Sequence, residues 1–203
     1  MSKLTVEDTS LVTVADAIRA KSKTTEPMTF PEGFVSAVGG ISDNVLPGVV
    51  DGSITEITSE MLAGCTKIRR YAFYECSSLT SIVIPSGVTS IGSDTFYGCS
   101  SLTSIEIPSS VTSIGGNAFY RCSSLTSIVI PSGVTSIGSN AFSRCSKLAT
   151  VELKPTTPPT LNGTIFRNCT ALTQIIVPAG TLSAYQSATN WSAYADIMVE
   201  ASA

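Results

Sequence analysis

The stretch that decides the fold is CSSLTSIEIPSSVTSIGGNAFYR, residues 99–121. It follows CSSLTSIVIPSGVTSIGSDTFYG at residues 76–98 and precedes CSSLTSIVIPSGVTSIGSNAFSR at residues 122–144. The cysteine that opens each unit recurs every 23 residues from Cys76 to Cys145, and Cys169 follows after 24. A period of this length indicates a solenoid, because each repeat forms one coil that buries its faces only against its neighbours. The sequence therefore predicts a stack of five coils.

The first half of each repeat predicts a strand. Leu102, Ile105 and Ile107 place apolar residues in an L-x-x-I-x-I pattern whose end alternates, as in a strand with one buried face. Pro108 has no N–H to donate, so the strand is expected to end there. Strands in the same position of successive coils then pair as a ladder, which makes the fold class a β-rich solenoid of right-handed stacked coils.

The second half of the repeat predicts the return of the coil. Val111 and Ile114 are expected to point inward from a second short extended segment. After two glycines, residues 117–119 predict one tight helical turn that carries Phe119 into the core.

The two ends of the array depart from the repeat. Ile54, Ile57, Leu62 and Cys65 match the spacing of the second half of a repeat, from Val88 to Cys99, and therefore predict a degenerate half coil over residues 54–65. Only 11 residues separate Cys65 from Cys76, as though the middle of a coil were deleted. At the other end Leu172, Ile175 and Val177 predict a last strand. Residues 180–199 then carry apolar residues every three to four positions, which predicts a helical cap with Trp191 sealing the stack.

Residues 1–45 lack the repeat and predict a small helical segment. Ser10 is placed to cap a helix over residues 11–21, and Pro31 fits the first turn of a second helix that ends at Gly39-Gly40. A hairpin of this size is expected either to dock on the first coil or to hold another subunit, which would make a homo-oligomer. The predicted domains are this segment at 1–45, the solenoid at 46–178 and the cap at 179–203.

Composition excludes several function classes. Net charge is −3 with 13% charged residues and no basic run, which argues against nucleic acid as a partner. The apolar runs are too short to span a membrane, and residues 1–10 predict no signal peptide. The chain has no His, the commonest general base and metal ligand. We expect no enzyme activity, catalytic residue, cofactor or metal.

The repeating cysteines are expected to stack in one column along the solenoid. Parallel side chains would place their Cβ atoms about 4.8 Å apart, farther than a disulfide needs. Free buried thiols are therefore favoured over disulfides, and without converging ligands metal binding is disfavoured.

The unit L-x-x-I-x-I-P-x-x-V-x-x-I-x-x-x-A-F-x-x-C, at residues 125–145, resembles the BspA-type leucine-rich repeats of bacterial surface proteins. The resemblance covers residues 54–177, and it implies a leucine-rich-repeat fold and adhesion to host proteins and surfaces. Residues 15–19 and 30–34 resemble short N-terminal modules of phage and prophage tail proteins. That second resemblance implies the alternative of a structural accessory or receptor-binding protein of a phage tail. The expected location is the cell surface, the extracellular space or a virion.

The outward positions of the ladder strands form the candidate binding face. They are rich in Thr and Ser, which either serve only as soluble strand residues or form a contact surface for another protein. A glycan ranks lower, because these positions offer no aromatic rings for stacking, and an ice-binding array ranks lower still. Glu106 and Glu152 resemble an inverting glycosidase pair in spacing, but exposed solubilising charges are the preferred interpretation. The face comprises Thr80, Ser81, Val83, Thr103, Ser104, Glu106, Thr126, Ser127, Val129, Thr150, Glu152, Thr173 and Gln174, with Ala149 and Ile176 in the same columns.

Overall fold

A computed structural model describes residues 55–62 and 64–202. The predicted helical segment at residues 1–45, its oligomer contacts and residues 46–54 of the predicted solenoid lie outside the described residues. The strands are β1 (Glu56–Ile57), β2 (Ser81–Ile82), β3 (Ser90–Ile91), β4 (Ser113–Ile114), β5 (Ser127–Ile130), β6 (Ser136–Ile137), β7 (Thr150–Leu153), β8 (Thr160–Leu161), β9 (Gln174–Val177) and β10 (Met198–Glu200). The helices are α1 (Leu182–Ser187) and the 3-10 helices Glu60–Leu62 and Ser192–Ile197.

The strands form two parallel ladders along a solenoid of about six turns. The first ladder, which we call sheet 1, has two parts. In one part β5, β7, β9 and β10 pair in that order, and in the other β1 pairs with β2. A bridge from Val83 to Glu106 lies between these two parts. In sheet 2, β3, β4, β6 and β8 pair in order. Equivalent residues of successive coils are partners, as in Ser90 with Ser113, so the predicted leucine-rich-repeat solenoid is confirmed.

The predicted half coil at residues 54–65 is wrong. Ile57 pairs with Ile82 in sheet 1, and Ile68 bridges Ile91 in sheet 2, so residues 55–76 contribute to both sheets and form a full coil. From Ile57 to Ile68 the chain advances 11 positions, against nine from Ile82 to Ile91. The 3-10 helix Glu60–Leu62 lies within this longer connection. The spacing match failed because a two-residue insertion shifted the segment from one sheet to the other.

The predicted helical turn at residues 117–119 is instead a series of tight turns. The amides of Ala118, Tyr120 and Cys122 each donate to the carbonyl three residues earlier. Asn117 and Arg121 have φ angles of 52° and 61°, and residues in this left-handed region cannot continue a right-handed helix. Phe119 is nevertheless fully buried, as predicted.

The core consists of columns of identical residues. Phe73, Phe96, Phe119, Phe142 and Phe166 stack with centroids 5.2 to 5.6 Å apart. The strand residues of both sheets and the repeating Leu fill the rest of each coil. Each coil therefore buries its apolar side chains against copies of the same side chains in its neighbours.

The C-terminal cap is only partly helical. Trp191 is fully buried, and its indole N–H donates to the Pro159 carbonyl at 2.7 Å. The Tyr185 hydroxyl donates to the Pro155 carbonyl, also at 2.7 Å. Met198, which the helical pattern included, lies instead in β10 and pairs with Ile175 in sheet 1. The cap thus covers the last coil and also adds one strand to the ladder.

Candidate functional site

The predicted binding face is the outer surface of sheet 1. In β5 the side chains of Ser127 and Val129 are exposed, whereas Ile128 and Ile130 are buried, as the alternation predicts. Nine of the 13 predicted residues are exposed and four, Thr80, Ser81, Thr150 and Glu152, are half-buried. The fold therefore brings all 13 to one face that extends across the coils.

One column of this face is more apolar than the rest. Val83 bridges Glu106, Val129 pairs with Glu152, and β9 and β10 extend the ladder through Ile176 to Val199. Val83, Val129 and Val199 have exposed fractions of 54%, 43% and 39%, and they are the large apolar residues that the described part of the chain exposes. We call the set Val83, Glu106, Val129, Glu152, Ile176 and Val199 the Val/Glu column. Sequence reasoning placed its first five members on this face but missed Val199, because it assigned residues 180–199 to a helix.

Two threonines of the face, Thr80 and Thr173, have a structural role that lowers the value of threonine as a marker of binding. The Thr80 hydroxyl donates to the Thr55 carbonyl of the preceding coil at 3.0 Å. On sheet 2, the hydroxyls of Thr89, Thr112 and Thr135 make the same bond at 3.1 to 3.2 Å. Some threonines near both sheets therefore link successive coils, so hydroxyl content alone does not identify a site.

The two carboxylates of the face are not arranged like a glycosidase pair. Glu106 and Glu152 lie on the outer surface two coils apart, with Val129 between them in the ladder. Glu152 is also ion-paired with Lys154. A glycosidase pair flanks a bound sugar from two sides, whereas these carboxylates project from one open surface.

The cysteine column is buried and made of free thiols. Cys76, Cys99, Cys122 and Cys145 are fully buried, and Cys65 and Cys169 are partly buried. The Cys99, Cys122 and Cys145 thiols each donate to the carbonyl of a core Phe in the preceding coil, at 3.1 to 3.2 Å. Burial raises the pKa of the Cys76 thiol to about 12, and it raises the pKa of Cys122 further. The thiols of Cys76 and Cys122 are therefore protonated at neutral pH.

A second surface, which sequence reasoning missed, lies where each coil turns just before its cysteine. The rings of Tyr74, Tyr97 and Tyr120 stack there with centroids 4.8 Å apart. Arg121 and Arg144 occupy the next position in two successive coils. The 23-residue spacing of both sets was visible in the sequence, but those positions vary between repeats and were passed over.

Within residues 55–62 and 64–202, no three His, Cys, Asp or Glu side chains lie close enough to hold a metal ion. None of the helices in that part of the chain combines the length and apolarity that a membrane span requires.

The repeats of this chain match a known family of repeats. Residues 66–193 match the BspA type Leucine rich repeat region in six copies. The chain belongs to this family. The BspA-type repeat is generally a non-enzymatic interaction fold, and repeat proteins of this kind serve as protein-interaction modules. No curated protein matches the chain.

Three solved structures are similar to this BspA-type chain. A leucine-rich repeat protein from Bacteroides ovatus is 35% identical, with a TM-score of 0.54. The match covers 64% of this chain and 34% of the Bacteroides protein. A T. pallidum leucine-rich repeat protein is 32% identical, with a TM-score of 0.56. The match covers 64% of this chain and 60% of the T. pallidum protein. The pneumococcal vaccine antigen PcpA shares the fold, with 20% identity and a TM-score of 0.51. The match covers 61% of this chain and 30% of PcpA. This chain therefore spans only part of the length of the proteins that it resembles.

Proposed function

We propose that this protein is an adhesion module of a bacterial or prophage surface, acting outside the cell, and that the outer face of sheet 1 contacts a protein partner. The observation that carries the choice of face is the Val/Glu column. Its exposed valines recur along one line of the solenoid, in the same column as Glu106 and Glu152. Adhesion is the role that the resemblance to BspA-type repeats implies.

The physical reason for choosing a protein partner is the composition of the column. Single exposed apolar residues are common on soluble proteins, but here Val83 and Val129 alternate with glutamates along one line and form a mixed strip that ends in two apolar residues. The strip is suited to contact with apolar side chains, while Glu106 and Glu152 add charges that select among partners. A glycan is less suited to this face, because none of its positions carries an aromatic ring on which a sugar could stack.

The experiment replaces the strip on two coils and leaves the same coils otherwise intact. We expect Val83→Lys with Val129→Lys to abolish binding to partners found on an array of extracellular proteins. Ser86→Lys with Ser132→Lys adds the same charge to the same two coils, at exposed positions of the turn that follows the strand, and it serves as the control. Both pairs replace exposed residues, so both variants are expected to fold.

Two outcomes contradict the proposal. If the valine variant binds as well as the unmodified protein, sheet 1 is the wrong face. If the unmodified protein binds glycans on a parallel array but none of the proteins, the partner class is wrong.

A further inference from the structure

We propose that the turn surface beside the tyrosine stack carries a second binding site, for a carbohydrate that bears carboxylates on alternating sugars. The site is a shallow groove of about 430 Å³ that spans four coils. Its walls include Glu75 at one end and Arg121 and Arg144 at the other, with Gly98 between them. It is separate from the outer face of sheet 1 and does not depend on the function proposed for that face.

The shape of the groove follows from one glycine. Glu75, Gly98, Arg121 and Arg144 each directly precede the cysteine of their coil, so they form one column at steps of 23 residues. Three of the four carry long side chains, and Gly98 carries none. Gly98 therefore leaves a gap in a column of long side chains, and that gap forms the depression.

The charges of the described chain are unevenly distributed around this groove. Residues 55–202 contain eight Lys or Arg and eight Asp or Glu, so this part of the chain is neutral overall. Four of the cations, Arg121, Arg144, Lys147 and Arg167, are nevertheless exposed within three successive coils, and the first two of them line the groove. The ion pairs of the described residues are Arg70 with Asp94 and Lys154 with Glu152, so no described carboxylate neutralises these four. The result is a cationic end next to a groove whose far end is acidic.

The two arginines also occupy a backbone conformation that other residues adopt at lower cost. Arg121 and Arg144 have φ angles of 61° and 63°. The equivalent positions of two other coils hold Gly98 and Asn168, which are residues that favour this left-handed region. Strain of this kind tends to be retained where the side chain has a function.

The chemistry of the walls favours a hydroxylated anion. Ser77, Ser100 and Ser123 line the groove and supply hydroxyls at equivalent positions of three coils. The planar guanidinium groups of the arginines bind a carboxylate through paired hydrogen bonds. Glu75 repels a further carboxylate but accepts hydrogen bonds from sugar hydroxyls. A chain with carboxylates on alternating sugars can place a charged sugar at the arginines and an uncharged sugar beside Glu75.

A peptide fits the same groove less well, for two reasons. The amides of Glu75, Gly98 and Arg121 already donate to carbonyls of the next coil at 2.6 to 3.0 Å, so no strand edge is open for β-augmentation. The lining side chains are charged, hydroxylic or tyrosine, and none is an aliphatic pocket residue. Tyr97, the tyrosine that lines the groove, has both ring faces covered by Tyr74 and Tyr120 and presents mainly its edge. Apolar anchors, which dominate peptide and protein recognition, therefore have no place to bind.

The test uses the full chain and a hyaluronan hexasaccharide, in which glucuronic acid alternates with an uncharged sugar. We expect calorimetry at low salt to detect binding, and Arg121→Asn with Arg144→Asn to weaken it at least tenfold. Asparagine occupies the same left-handed position at residue 168, so the variant is expected to fold. Lys67→Asn with Lys154→Asn removes the same charge from exposed residues that do not line the groove, and should leave the affinity unchanged.

A second variant tests shape separately from charge. Gly98→Asn keeps the left-handed backbone and every charge but fills the gap, and we expect it to weaken binding at least fivefold. Absence of hyaluronan binding by the unmodified protein overturns the proposal. If the groove variant and the control variant lose affinity for hyaluronan equally, net charge alone explains the effect, and the proposal is overturned as well. Binding of chitohexaose or hexaglutamate as tight as that of hyaluronan would assign the groove to neutral sugars or acidic peptides instead.

Discussion

Four of the repeating cysteines each link two coils through a hydrogen bond, namely Cys99, Cys122, Cys145 and Cys169. Cys122 follows the buried Phe119 of its own coil, and its thiol donates to the carbonyl of Phe96 in the coil before. A thiol is small enough to stack in a column and apolar enough to be buried, yet it still satisfies a carbonyl that a Val or Ala would leave without this second donor. The column is therefore part of the core and requires no redox or metal chemistry to explain it.

The raised thiol pKa values predict that alkali destabilises the protein. The unfolded chain ionises its thiols above about pH 8.5, whereas the folded chain keeps buried thiols such as Cys122 protonated. The free energy of unfolding therefore keeps its full value below that pH. Above it, the free energy of unfolding falls by about 1.4 kcal/mol per pH unit for each such thiol. We expect Cys122→Ala to reduce the slope of unfolding free energy against pH by about that amount between pH 9.5 and 11.

Urea unfolding at a series of pH values measures this slope. Ser101→Ala, which keeps all six thiols, should keep the full slope, although both substitutions can lower the stability at neutral pH. An unchanged slope in Cys122→Ala would mean that the folded state lets this thiol ionise.

Two adjacent glycines provide a matched test of how closely the coils approach. A Cβ added to Gly115 would lie 2.3 to 2.7 Å from backbone atoms of Gly92 and Ser93, whereas one added to Gly116 would lie 3.4 Å from its nearest neighbour. We expect Gly115→Ala to cost about 3 kcal/mol, because the obstacle is backbone that cannot rotate away. Gly116→Ser should be tolerated, since Ser93 and Ser139 occupy its position in the flanking coils. Thermal unfolding of both variants checks this, and equal losses would contradict it.

Among the structural elements, the cap carries the largest single buried side chain. Trp191 contacts Tyr185 and Tyr194 edge to face, and its N–H binds the turn of the last complete coil. The Tyr194 hydroxyl accepts hydrogen bonds from the amides of Ile165 and Phe166, which ties the cap to the same coil. A terminal coil has no neighbour on one side, so these contacts take the place of the missing coil.

We expect Trp191→Ala to destabilise the protein by about 3 to 5 kcal/mol, the usual cost of removing a buried large aromatic residue. The exposed last coil should then bind a hydrophobic dye such as ANS. Chemical denaturation and dye fluorescence measure the two effects, and Ser192→Ala, at an exposed site in the same segment, is the control. A loss below about 1 kcal/mol would show that the cap contributes little to the array.

Sequence predicted these elements well where the pattern repeats and poorly where it does not. The strand at Ile128 and Ile130, the inward Ile114 and the buried Phe119 all followed from one averaged repeat. Ile57 was assigned to the wrong sheet, because an insertion moved it out of phase and no local signal distinguishes the two ladders. β10 was missed because Met198 fits a helical period, and only pairing with Ile175 makes it a strand. The groove beside Gly98 was missed because a gap between side chains of four coils has no signature within any one of them.

At the scale of the whole molecule, stability is shared between equivalent interfaces. Residues 76–98 and 122–144 differ at four of 23 positions, so the coil between them has nearly the same neighbour on each side. The contacts that hold the array are repeated hydrogen bonds, aromatic stacks and ladders between adjacent coils, with few contacts that skip a coil. Such arrays gain stability approximately in proportion to the number of their interfaces.

Removing one whole coil should therefore leave a folded protein. We expect deletion of residues 100–122 to give a shorter solenoid that unfolds cooperatively at a lower temperature, because the new junction joins a near-identical pair of surfaces. Deletion of residues 100–110, about half of that coil, should break both ladders and leave the chain unfolded or aggregated. Circular dichroism and calorimetry distinguish the two, and a cooperative transition in the half-coil deletion, or none in the whole-coil deletion, would contradict this account.

The near-identity of the coils at residues 76–98 and 122–144 also has a consequence for inheritance. Coding segments that also repeat at the nucleotide level are prone to unequal recombination, which duplicates or removes a unit in one event. Because the interfaces of these coils are interchangeable, the altered gene would encode a chain that folds without further mutation. Each added unit would lengthen the molecule by about 4.8 Å, so a lineage can change the reach of this protein in discrete steps before selection refines any new surface.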